Sequence, residues 1–332
     1  MGANYIAEKT KNIPRKGNGK KLTGQWKRTL FIYGGLAWTL VHFFVFWFCM
    51  NIGTLYNSFL KEIQGGSMIW NGLNAYKDVW MYLTGQKANG VLSSVALPNT
   101  LSLLGLSLLI NLPITLLFSY MLFKQVAGHK VLRVGMYVPC VLSTVILCLF
   151  YRIMVSGTSN YKSLFSVLEL FGYSNADVIQ NGVLASGETA WKAILVFSVW
   201  TGVNGNIIYF SSAMARLPDS VLESAELDGA TQMRQFISIV IPMIWPVITT
   251  MSITLISGAF AWFQPVQIMI GEGMAATTKT STLAWMIIYQ TTSGGQVSGF
   301  PAALGVTIAV VGGTLILSFQ SIMSKIFSEV EY

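Results

Sequence analysis

Six apolar stretches, near residues 29–50, 101–123, 134–151, 193–215, 244–267 and 302–324, punctuate the chain. Each approaches or exceeds the roughly 20 residues a helix needs to cross a hydrocarbon core, and a chain in lipid must satisfy its backbone internally, so six transmembrane helices are predicted. Asn111 and Pro113 in the second stretch and Pro139 in the third are expected to kink their helices. Residues 282–290, TLAWMIIYQ, are apolar but too short to span and predict an outer interfacial helix. Between the fourth and fifth stretches the pattern changes. Residues 216–246, RLPDSVLESAELDGATQMRQFISIVIPMIWP, read as a polar helix-turn-helix. Pro218 pre-sets φ for a first turn, Asp219 and Ser220 offer early acceptors, and Glu223 and Glu226 suit the helix dipole. Gly229 falls where a left-handed C-terminal cap is wanted, so the chain is expected to turn at Asp228-Gly229. Met233, Phe236, Ile237, Val240 and Ile241 then follow i, i+3, i+4, i+7, i+8 and predict one apolar face of a second helix, which Pro242 and Pro246 close or kink.

Composition supports a membrane chain. Of 332 residues 53% are hydrophobic and only 10% charged, with mean hydropathy +0.57, against about 25% charged in soluble domains. Residues 29–332 are read as one membrane domain, and 1–28 as a basic, largely disordered tail that touches anionic headgroups. The net charge of +8 is unevenly spread: with the N-terminus in the cytoplasm, fourteen of the 21 Lys and Arg residues fall inside, including Lys124, Arg216, Arg234 and Lys325. Both termini and the 216–246 loop are then cytoplasmic, and the Ser-, Gly- and Asn-rich 155–190 segment around Phe171-Gly172-Tyr173 lies outside. A cleaved signal peptide is the alternative for residues 1–52, but the apolar run is longer than an h-region and no A-x-A-like site follows.

Several chemistries are missing. The spans hold almost no ionisable side chains: Arg152 and Lys192 stand at outer ends and His42 alone in an interior, which argues against an ion-coupled carrier. No G-x-x-x-x-G-K-[ST] loop is present to cradle nucleotide phosphates, and no acid pair, activated nucleophile or metal constellation is apparent. His42 and His129 lack ligand partners, and Cys49, Cys140 and Cys148, all in apolar spans, read as packing residues.

Within 216–246, Glu223, Ala225, Asp228, Gly229, Ala230, Phe236, Ile239 and Pro242 match in type and spacing the signature loop E-A-A-x-x-D-G-A, five residues, F, two residues, I-x-L-P. The chain thereby resembles the permease subunits of binding-protein-dependent ABC importers, in their maltose and multiple-sugar branch. Ser224 and Ile241 depart mildly from the pattern. Tyr56-Asn57-Ser58-Phe59, Trp70-Asn71-Gly72-Leu73, Tyr76 and Asn99-Thr100 resemble the first outer segment and second-span entrance of the larger maltose-type permease. The resemblance implies an all-α, six-span type I importer fold with a cytosolic coupling helix-turn-helix, in a bacterial cell membrane. It implies half of a translocation pathway for a sugar or oligosaccharide, completed by a second homologous permease, two cytosolic ATPases and an extracytoplasmic solute-binding protein. This chain would be no enzyme and bind no cofactor; ATP and Mg would sit in the partner ATPase.

Glu223, Ala225, Asp228, Gly229, Ala230, Phe236 and Pro242 would then carry ATPase coupling. The substrate path would run between the fourth, fifth and sixth spans, with Trp200, Asn204, Asn206 and Tyr209 on the fourth and Trp262, Gln264 and Gln267 at the outer end of the fifth as candidates. Aromatic faces and amides suit sugars, yet amides also join helices and aromatics also form interfacial belts, so both roles stay open. A permease of this type for a non-sugar solute, such as a glycerophosphodiester, is the second reading. A passive channel or structural subunit would have no need of the signature loop.

Overall fold

The computed structural model describes residues 19–63, 67–85, 93–155, 183–187, 189–271, 275, 278–292 and 299–326. Residues 1–18 of the expected tail, and Phe171-Gly172-Tyr173, lie outside the described residues. The chain divides into two compact units, residues 1–56 and 57–332.

The first unit is one helical rod: α1 (Gly19–His42), a π-helical turn (Phe43–Phe48) and most of α2 (Cys49–Asn57). It begins within the stretch expected to be disordered. Lys20, Leu22, Gln25 and Arg28 are good helix formers with no proline among them, so the helix extends back through the basic residues. None of its apolar window from Trp26 on is buried.

The second unit opens with a two-stranded antiparallel hairpin, β1 (Leu60–Glu62) and β2 (Met68–Trp70), followed by α3 (Asn74–Leu83). Phe59 stacks on Trp70 at 5.5 Å between centroids, the Asn71 N–H donates to the Phe59 carbonyl at 2.8 Å, and the Ser58 and Tyr76 hydroxyls lie 2.7 Å apart. Two sequence fragments separated by ten residues are therefore one structure. Its neighbour is the clasp at the start of the second span. Asn99 donates its amide to the carbonyls of Lys279 and Ser281, both at 2.9 Å, and the Thr100 hydroxyl accepts the Leu283 N–H.

The second span comprises α4 (Ser93–Leu106), a π-turn (Ser107–Asn111) and α5 (Leu112–Phe123). The third is α6 (His129–Val141) and α7 (Thr144–Val155), and the fourth is α8 (Ala190–Met214). The polar loop contains α9 (Asp219–Leu227), α10 (Gln232–Gln235), a π-turn (Phe236–Val240) and α11 (Ile241–Met243). The fifth span is α12 (Trp245–Phe260), after which come α13 (Gln264–Met269), α14 (Leu283–Thr292) and the last span, α15 (Gly299–Ile326).

Among the described residues four helices are long and apolar enough to cross a membrane, and six spans result if each of two bent pairs counts as one. The expected third span at 134–151 is thus broken: α6 and α7 meet at 107°, with Leu142 extended and the Ser143 hydroxyl accepting the Val145 N–H. Pro139 removes an N–H three residues earlier, and the capping serine gives α7 its own start. The fifth span likewise ends at Phe260 rather than 267, because the chain turns through Ala261–Phe263 before α13. A further correction concerns 282–290. The first turn of α14, far from lying on the surface, buries Leu283, Ala284, Trp285 and Met286, the last two in a core shared with Val79, Phe197 and Leu304.

The second and fourth spans pack closely through small residues. The Thr115 and Ser119 hydroxyls donate to the carbonyls of Val203 and Ile207, each at 3.3 Å, and the Asn111 amide to that of Ser198 at 3.4 Å. A Cβ on Gly202 would run into the Asn111 amide, so only glycine lets the two backbones approach here.

Candidate functional site

The loop between the fourth and fifth spans builds its turn from backbone bonds. Gly229 has φ +76°, its N–H donates to the Glu226 carbonyl at 3.0 Å, and the Ala230 N–H donates to the Ala225 carbonyl at 2.9 Å. This pair of bonds is a Schellman cap, with Asp228 as the C-cap residue and Gly229 in the left-handed position. Thr231 then starts the next helix, its hydroxyl accepting the Arg234 N–H at 3.4 Å, a role that sequence reading passed over although Thr three residues before Arg234 follows the cap pattern. At the other end Pro218 is the capping residue itself, with φ −64° and ψ 126°, and neither Asp219 nor Ser220 caps the helix with its side chain.

One side of this helix-turn-helix is fixed to the bundle. Leu222, Phe236 and Val240 are buried with Tyr120, Phe210, Ile248 and Met323, so the ends of the second, fourth and last spans and the start of the fifth meet under it. The Tyr120 ring lies 4.7 Å from that of Phe236 and its hydroxyl donates to the Gln232 carbonyl at 3.0 Å. Lys124, just past the second span, pairs with Glu226 at 2.9 Å. That hydrogen bond and charge hold the Glu226 carboxyl below the ordinary carboxylate range. Pro242 sits in the first turn of α11, two residues beyond a π-turn and just before the 77° bend into the fifth span.

The other side is free. Leu227 is 90% exposed, Met233 and Ile237 are each 56% exposed, and Glu223 makes no ion pair among the described residues. The predicted single face Met233, Phe236, Ile237, Val240, Ile241 is therefore split: the wider π-turn puts Phe236 and Val240 in the core and leaves Met233 and Ile237 outside. Leu227 was missed by pattern reading, although a leucine directly before Asp-Gly, off the face that buries Leu222 and Ala225, is its signal.

A second feature lies within the bundle. A cavity of ≈ 340 Å³ opens where the break in the third span, the fourth span and the turn after the fifth converge. Of the seven residues singled out for a substrate path it brings together Asn204, Trp262 and Gln264, alongside Phe197, Thr201 and Thr144. Asn204 is 3% exposed and lies past the middle of α8; its amide nitrogen donates to the Trp200 carbonyl at 2.7 Å. Trp200, Asn206, Tyr209 and Gln267 do not line the cavity. Tyr209 is exposed, and the Asn206 amide donates back to the Gly202 carbonyl at 3.4 Å. No group of His, Cys, Asp and Glu able to hold a metal occurs among the described residues.

Residues 129–327 match the family described as "Binding-protein-dependent transport system inner membrane component", a stretch that holds the signature loop and every cavity residue. The arabinooligosaccharides transport system permease protein AraP of Bacillus subtilis (strain 168) is 23% identical over 273 residues, 82% of either chain. The sn-glycerol-3-phosphate transport system permease protein UgpA of Yersinia enterocolitica is 26% identical over 219 residues, 65% of this chain and 70% of that one. In three dimensions the chain is similar, at TM-score 0.73 and 21% identity over 92% of its length and 99% of the other, to a chain of a bacterial ABC transporter involved in the import of the acidic polysaccharide alginate. A chain of the bacterial alginate ABC transporter solved in complex with an alginate pentasaccharide-bound periplasmic protein matches at TM-score 0.71 and 20% identity. This chain belongs to the inner-membrane components of binding-protein-dependent transport systems: it is a multi-pass, non-catalytic permease subunit of an ABC importer.

Proposed function

We propose that this chain forms one half of the pathway of an ATP-driven importer for a sugar or oligosaccharide, in the cytoplasmic membrane of a bacterium with both termini inside. A second, homologous permease supplies the other half, two cytosolic ATPases bind ATP and Mg, and an extracytoplasmic protein delivers the solute. The observation that carries the reading is the two-sided helix-turn-helix: one side is buried among four span ends and the other offers Leu227, Met233, Ile237 and Glu223 to a partner. A helix-turn-helix that presents apolar anchors and exposed acids such as Glu223 suits a groove with a basic residue, and movement of that groove would be passed to the spans beneath. Glu223, Ala225, Asp228, Gly229, Ala230, Phe236 and Pro242 shape this contact. The relatives named for arabinooligosaccharides and alginate, and the aromatic and amide lining of the cavity, support a carbohydrate. The relative named for sn-glycerol-3-phosphate keeps a non-sugar solute as the second reading.

Mild-detergent purification of the native complex through a tag on this chain tests the assembly. A nucleotide-binding subunit should travel with it and be lost, with the spans still folded, when Leu227→Asp is introduced. Recovery of this chain without any ATPase would sink the proposal.

A further inference from the structure

The three named relatives disagree in charge: two handle anionic solutes by their names and one a neutral oligosaccharide. On the reading that the cavity is part of a carbohydrate path, we infer that this half of the pathway accepts an uncharged saccharide and disfavours a uronate or phosphate. No Asp, Glu, Lys, Arg or His is among the residues that line the cavity. A buried anion is held best by a cation or by several converging charge-assisted donors, and every donor in this lining is neutral. One N–H of the Asn204 amide is taken by the Trp200 carbonyl at 2.7 Å, which leaves a second N–H and the oxygen. The Thr201 hydroxyl donates to the Phe197 carbonyl at 2.9 Å and keeps only acceptor capacity. Two helix starts reach the cavity, at Thr144 and Gln264, and such starts attract anions. Both are blunted: the Ser143 hydroxyl accepts the Val145 N–H, and Pro265 has no N–H to offer. Arg152, in the helix that begins at Thr144, is outside the lining and directed at the Ile268 carbonyl at 3.4 Å. What remains is a neutral set: the Asn204 amide and Thr201 hydroxyl on the fourth span, with the Trp262 ring, Gln264 and Thr144. Such groups exchange hydrogen bonds with the hydroxyls of a sugar but give a carboxylate no counter-charge, while the ring takes the apolar face of a pyranose or furanose.

The experiment uses the assembled transporter in nanodiscs without its binding protein, so that delivery does not pre-select the solute. Saturation-transfer NMR is recorded with arabinotriose and with an alginate trisaccharide, on the parent complex and on Asn204→Ala and Gln264→Arg complexes. Arabinotriose should bind, Asn204→Ala should weaken it about three- to tenfold through loss of one buried amide, and the alginate trisaccharide should give no signal that depends on Asn204. Gln264→Arg, at an exposed lining position, should create binding of the acidic trisaccharide without needing any change in the buried core. Asn204-dependent binding of the alginate trisaccharide by the parent complex, equal to or tighter than arabinotriose, overturns the inference while leaving the carbohydrate path intact. Absence of both trisaccharides from the parent complex removes the carbohydrate path itself, and the inference with it.

Discussion

At the scale of single residues, Gly229 and the pair Lys124–Glu226 bear most directly on coupling. Space is not the constraint at Gly229, since an added Cβ would meet nothing within 4 Å; the constraint is φ +76°. Gly229→Val should therefore cost about 1–3 kcal/mol of local strain, unwind the Schellman cap, and lower substrate-stimulated ATP hydrolysis in the reconstituted complex. Normal stimulation in that variant would show that the turn does not matter to coupling. Glu226 is held below the ordinary carboxylate range by Lys124, so whatever the pair contributes is fully present above that range and is lost as pH falls through the depressed value. Coupling should thus be insensitive to Glu226 titration near neutrality, whereas Glu226→Gln at pH 7 should reproduce the acid state, and the swap Lys124→Glu with Glu226→Lys should recover stimulated hydrolysis. An unchanged ratio of stimulated to basal hydrolysis in Glu226→Gln would assign the pair to the solvated surface. The turn glycine, acid and aromatic of this loop were legible because each acts locally. The partner of Glu226 was not, because Lys124 lies a whole loop and two spans away in sequence.

At the scale of elements, the second and fourth spans depend on one close approach. Gly202→Ala would press its methyl group into the Asn111 side chain, and overpacking of this kind costs about 1–3 kcal/mol. The side-chain oxygen of Asn111 has no partner among the described residues, and its amide bond to the Ser198 carbonyl is long, so Asn111→Ala should be nearly neutral and should relieve the cost of Gly202→Ala when combined with it. Thermal denaturation of the purified complex measures all three; equal melting temperatures for Gly202→Ala and the parent would mean that the helices can part without penalty. Helix existence was readable here from apolar length alone. The break of the third span at Leu142–Ser143 was not, because Pro139 marks a disturbance without saying which later residue will extend and which will cap.

At the scale of the whole molecule, an importer half whose described spans hold no buried relay of acids and bases should be independent of ion gradients. Uptake by the intact complex should stop when ATP is depleted and persist under a protonophore with ATP clamped; uptake that follows the gradient would return a carrier mechanism. The helical, multi-span architecture was legible because lipid leaves the backbone so few alternatives, while the cavity was not, since it forms only where three elements distant in sequence converge. The π-turns at Ser107–Asn111 and Phe236–Val240 each end two residues before a proline, and each bond of the kind Leu112 N–H to Ser107 carbonyl or Ile241 N–H to Phe236 carbonyl encloses one residue more than an α-turn. The number of residues between Gly229 and Pro242 is consequently a phase setting: removing one would restore a regular helix yet swing the loop by about 100° around the axis of the fifth span, turning Leu227 away from whatever groove it meets. Chain length here carries information that side-chain identity does not.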